Sequence, residues 1–106
     1  MAKYLIRANY VGNGVMGLVK EGGSKRRAAV EKLFAAVGGR MEAFYYAFGE
    51  TDLFVIGDVP DNVSAAALSL AVNSTGAATT TLTVLMTAEE MDAAAKKVPD
   101  YRAPGR

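Results

Sequence analysis

The chain has 106 residues, 51% of them apolar and 22% charged, with a formal net charge of +1; that length holds one domain and that composition excludes an intrinsically disordered chain. It contains neither cysteine nor histidine, which excludes disulfides, cysteine nucleophiles and the usual zinc and haem ligand sets, and leaves acid–base chemistry to carboxylates, tyrosine, lysine or water. Residues 1–40 carry eight Lys or Arg against two Glu, and residues 41–95 carry eight acids and no base, so the domain has a basic and an acidic half without the overall basic excess of a nucleic-acid binder.

Residues 3–11 (KYLIRANYV) alternate Tyr4, Ile6, Ala8 and Tyr10 against Leu5, Arg7 and Asn9, the period of two that a half-buried strand requires. A connection with five glycines in fourteen positions follows, VGNGVMGLVKEGGS, and its spacing predicts a short helical turn over Val15–Lys20. Ser24 is the expected cap of a helix whose Val30, Leu33, Phe34 and Val37 fall at i, i+3, i+4 and i+7, with Gly38-Gly39 as its stop. Residues 40–48 and 53–59 read as a hairpin around Gly49-Glu50-Thr51-Asp52. The expected register sets Phe48 opposite Leu53, Tyr46 opposite Val55 and Phe44 opposite Gly57. Asp61 is the expected N-cap of a second helix with Val63, Ala67, Leu70 and Ser74 along its inner side. A last strand over 78–86 sets Leu82, Val84 and Met86 against Thr79, Thr81, Thr83 and Leu85. Thr87-Ala-Glu-Glu90 is a capping box that opens a short helix to about Lys97.

The order β-α-β-β-α-β is the ferredoxin-like α+β pattern: a four-stranded antiparallel sheet with helices on one face, plus a short C-terminal helix. A single domain over 1–98 and a flexible tail over 99–106 are expected. No apolar stretch approaches the roughly 18 residues that span a bilayer and the start, Met-Ala-Lys-Tyr-Leu, is not a secretory signal. A cytoplasmic protein that binds neither membrane nor nucleic acid is expected.

Helices cover one face of such a sheet. The other face, with Leu5, Ala43, Tyr45, Ala47, Phe54, Ile56 and Leu85 among Arg7, Asn9, Asp58 and three threonines, spans roughly 300–400 Å². It is too apolar for an open surface and too polar for a dry core, so the expected partner is a second copy, sheet against sheet, in a homodimer. Arg7, Asn9, Tyr45 and Asp58 are the candidate site residues, since they share that face on neighbouring strands. A carboxylate beside a tyrosine can move protons in a pocket, and the same groups can instead bond one another across a dimer interface. Gly12-Asn-Gly14-Val-Met-Gly17 matches G-x-G-x-x-G. However, the broken helix after it and the short chain argue for a connection rather than a dinucleotide loop, and no cofactor or metal is expected. Lys25-Arg26-Arg27 reads as a solvated helix face.

The segments YLIRANYVGNG, YYAFGETDLFVIGDVPD and TTTLTVLMTAEEMDA together resemble the GYD-domain family over nearly the whole chain. The resemblance implies the dimeric α/β-barrel version of the ferredoxin-like fold, with no established activity. Of the motif Gly-x-Tyr-Asp, Gly49 and Asp52 are kept and Thr51 stands in place of the tyrosine, so a role resting on that tyrosine does not carry over as it stands; Gly49 and Asp52 also suit a tight turn. Two function classes follow. One is an enzyme or binding protein with a small-molecule ligand held between sheet and helices or between sheets, and the other is a non-catalytic dimerisation or regulatory module.

Overall fold

A computed structural model describes all 106 residues. The alternation of the first strand is realised in β1 (Ala2–Tyr10), which buries Tyr4, Ile6 and Ala8 and turns Leu5, Arg7 and Asn9 the other way. β3 (Leu53–Val59) pairs with one edge of β1 and β4 (Ala78–Leu85) with the other, and β2 (Arg40–Tyr46) lies beyond β3. The order is β2-β3-β1-β4 and every pair is antiparallel. Between these strands run α1 (Gly14–Glu21) and α2 (Gly23–Ala36), then α3 (Asn62–Asn73), and α4 (Ala88–Lys96) follows β4. This is the ferredoxin-like arrangement. No helix is long and apolar enough to cross a membrane.

The core lies between the sheet and the helices α2 and α3, where Phe34 and Val59 are each 1% exposed among Tyr4, Ile6, Leu53, Val55, Ala65 and Leu68. Phe34 fits because Gly57 lies beneath it: a Cβ on Gly57 would stand 2.4 Å from the ring. Tyr4 is buried as an amphipathic side chain should be, its hydroxyl donating to Asn62 Oδ1 in the first turn of α3. Asp61 caps α3 by accepting from the Ser64 N–H at 2.8 Å, a bond that holds its carboxyl below the usual carboxylate range. The Thr87–Glu90 capping box is present with both its hydrogen bonds.

Four expectations are corrected. The turn at Val15–Lys20 is a full helix, α1, because Gly14 lets its first turn press against the Ala77 carbonyl, where a Cβ would meet the oxygen at 1.9 Å. Ser24 does not cap α2. The helix starts at Gly23, and Gly22, at φ 84°, forms the joint with α1. The hairpin register is shifted by two residues from the expected one, Tyr46 facing Leu53 and Phe44 facing Val55, with an irregularity between Met41 and Ala43. A shift of two preserves which side chains share a face, but it releases Phe48 from the sheet to full exposure. The shift follows from Asp52, whose N–H reaches the Ala8 carbonyl and Asn9 Oδ1 and whose carboxylate accepts from the Tyr10 N–H at 3.0 Å. Finally, α3 buries Ala65 and Leu68 and leaves Val63 and Leu70 79% and 69% exposed, the reverse of the expected stripe.

Candidate functional site

The sheet face away from the helices is uncovered. Its rows follow from the register: Tyr45, Phe54, Arg7 and Thr81 lie side by side across the four strands, then Ala43, Ile56, Leu5 and Thr83, then Asp58, Lys3 and Leu85. The centre is apolar and half-buried (Leu5, Ala43, Phe54, Ile56), while Tyr45 stands 70% exposed at the β2 edge.

All four candidate residues lie on this face, and they fall into separate groups. Asp58 faces Lys3 across the β1–β3 ladder, four residues from Arg7, which is about 13 Å along the strand. Its carboxylate pairs with the Lys3 ammonium at 3.2 Å, and Glu42 takes the same ammonium at 2.8 Å. The hydrogen bond to Glu42, more than compensating the burial of the amine and assisted by Asp58, raises the lysine above its ordinary 10.5. Tyr45 is two strands from Arg7, about 10 Å. Asn9 has its carbonyl oxygen engaged by the Asp52 N–H at 3.0 Å.

Arg7 and Asn9 do share a wall. With Glu50, Thr51, Thr79 and Thr81 they line a cleft of about 280 Å³ that has no apolar residue in it. The strand alternation already puts Thr79 and Thr81 on the side of Arg7, and Lys3 beside Asp58, so those neighbours were within reach of the sequence. Glu50 and Thr51 belong to a turn, where no periodicity reports direction. The cleft offers a guanidinium, three hydroxyls, an amide and a carboxylate, a set that can anchor a small polar molecule through an acidic group. No three carboxylates approach closely enough to hold a metal ion together.

On the helix side a cavity of about 70 Å³ separates α2 from α3, lined by apolar residues such as Ile6, Val30, Leu33 and Leu68. Ligand pockets start at roughly 300 Å³. A third feature lies at the end of the sheet where β1 finishes: a cleft of about 440 Å³ between α1 and the β2–β3 turn, lined by Tyr10, Val15, Leu18, Tyr46 and Phe48. The Tyr46 hydroxyl donates to the Gly23 carbonyl at 3.1 Å, and burial together with Tyr10 pushes this phenol up to about 12. The motif residues separate here. Asp52 ties the hairpin to β1, whereas a Cβ on Gly49 would meet nothing within 4 Å.

A match to the family described as GYD domain spans residues 4–95. No curated protein and no solved structure matches the chain.

Proposed function

The chain belongs to the GYD domain family, and from that premise we propose that it works as a homodimer, two sheets face to face as a dimeric α/β barrel, holding a small acidic molecule at the Arg7 cleft. The observation that carries this is the surface left bare. The chain exposes 7518 Å², whereas a compact monomer of 11.1 kDa exposes about 5,700 Å². A standard interface covers about 800 Å² on each partner; the sheet face of roughly 300–400 Å² supplies part of that, and the exposed α4 and tail contribute to the rest of the excess. Leu5, Phe54 and Ile56 form the dry centre of the sheet-to-sheet contact, and the Arg7 cleft at one end becomes an enclosed polar space.

Binding has more support than proton transfer. The one carboxylate among the candidates, Asp58, is occupied by Lys3, and the same closed ion cluster favours the second reading, a dimerisation module without a ligand. The test has two stages. Light scattering on the purified chain should return twice the chain mass, and Phe54→Glu should return a folded monomer; a monomeric wild type overturns the proposal. Backbone NMR spectra are then recorded with a panel of small carboxylates and phosphates. Shifts at Arg7, Asn9 and Thr81 that vanish in Arg7→Gln support the ligand site. A dimer whose spectrum no acid perturbs leaves the module reading in its place.

A further inference from the structure

Two short helices present apolar faces that nothing in their own chain covers. α4 has no buried residue and packs substantially on no other element. Its Met91 is 56% exposed, and Val98 just beyond it is 74% exposed. Within the helix Ala88, Met91 and Ala95 follow the i, i+3, i+7 spacing of one stripe, and Glu89, Glu90 and Lys96 lie away from it. A nine-residue helix is marginal without a surface to rest on, even when well capped. The whole chain is drawn out accordingly, with a radius of gyration of 17.0 Å against about 13 Å for a compact domain of this length.

α1 is turned inside out. Its glycine side faces the body of the protein, with Gly14 against Ala77, while Val15, Met16 and Val19 are 50%, 66% and 73% exposed. Together with Tyr46 and the fully exposed Phe48, this helix walls the 440 Å³ cleft at the end of the sheet. Around the cleft, Lys20 lies in the last turn of α1 and Lys25, Arg26 and Arg27 open α2, with Glu21 3.8 Å from Arg26; in the cleft itself the one charged residue is Asp52, whose carboxylate already accepts from the Tyr10 N–H. The first turn of α4 carries Glu89 and Glu90, followed by Asp92.

We infer that α4 of one copy docks in the cleft between α1 and the β2–β3 turn of a second copy, Met91 against Val15 and Phe48, its acidic turn toward Lys20 and the α2 bases. The occupant is a second copy because the first cannot reach. α4 leaves the sheet where Leu85 faces Lys3, and the cleft lies where Ala78 faces Tyr10, about 23 Å further along β1. The inference rests on the face-to-face dimer proposed above. A twofold axis across the strands brings the β4 exit of each sheet over the cleft end of its twin, so the arm continues the same interface. The sheet contact and the arm together account for exposed area beyond the ~800 Å² per partner of a standard interface.

The absence of native cysteine makes the test direct. A tagged Val15→Cys chain and an untagged Met91→Cys chain are refolded together from denaturant, oxidised with copper phenanthroline and run without reductant. A covalent heterodimer is expected, at least ten-fold more abundant than with Val63→Cys in place of Val15→Cys, although Val63, on α3, is the more exposed of the two. Met91→Glu, which leaves the core untouched, should raise the dimer dissociation constant at least ten-fold with the circular dichroism of the strands unchanged. If light scattering shows a dimer but the 15–91 pair gives no more product than 63–91, the arm is placed wrongly and the sheet-to-sheet dimer stands. A double Val15→Cys, Met91→Cys chain that closes on itself as a monomer overturns the inference, and a monomeric wild type overturns both.

Discussion

On one side of the sheet Phe34 is 1% exposed and sits on Gly57; on the other, Tyr45 is 70% exposed beside Phe54. Both sides are built by the same alternating strands and both are rich in aromatic and branched residues. They differ in what the chain can bring to them. The two helical crossovers land on one side, and the antiparallel order β2-β3-β1-β4 leaves no connection long enough to cover the other. The helix side is therefore finished within one chain. The open side, with an ion cluster at one end, an apolar centre and a polar cleft at the other, is left uncovered by its own chain.

The sharpest way to break this contrast is on the finished side. Phe34→Ala should cost about 3–5 kcal/mol, a large part of a small domain's stability, seen as a fall in the urea midpoint. Gly57→Ala should cost about 1–3 kcal/mol by overpacking, since the new methyl meets the Phe34 ring; if urea unfolding shows no loss, that close approach is not what seats α2. A change on the open side should behave differently. Ile56→Glu, at the half-buried centre of that face, is expected to cost the monomer about 1 kcal/mol of unfolding free energy, well below Phe34→Ala, while abolishing the proposed dimer in sedimentation; a loss as large as that of Phe34→Ala would mean the face is already buried in one chain.

Smaller effects come from titration. The Tyr46 phenol, raised to about 12 by burial and Tyr10, binds its proton more tightly folded than unfolded, so stability falls as pH rises above 10, the ordinary value. Lys3, raised above 10.5, contributes fully below that pH and loses its contribution as pH rises further. Asp61, lowered below 3.8, contributes above that pH and loses its contribution in stronger acid. Thermal melts across pH 3–12 should therefore show a plateau with a fall at each end. Tyr46→Phe should reduce the alkaline fall and Asp61→Ala the acid one.

Local signals in the chain were readable because they act within a few residues. The Asp61 cap, the Thr87–Glu90 box and the period of two in β1 each depend on neighbours in sequence, and each occurs as read. The face of α3 was not readable for a physical reason. The helix carries no charge from Asn62 to Asn73, so Val63, Ala67 and Leu70 compete with Ala65, Leu68 and Val72 as the inner stripe, and its two inner serines, Ser64 and Ser69, are half-buried and do not mark the outside. The sequence also puts Arg7, Asn9, Tyr45 and Asp58 on one face, as they are, but it does not report distance along a strand.

By itself, then, the sequence determined the element order, the side of the sheet each strand residue takes and the caps, because backbone geometry converts spacing directly into those properties. Register, the inner side of α3, the helix at α1 and the grouping of the polar residues were decided only in the tertiary structure. Each depends on a contact between residues far apart in the chain. Asp52 on Tyr10 sets the turn, Gly14 on Ala77 admits α1, Phe34 on Gly57 seats α2, and Lys3 on Asp58 divides the polar set.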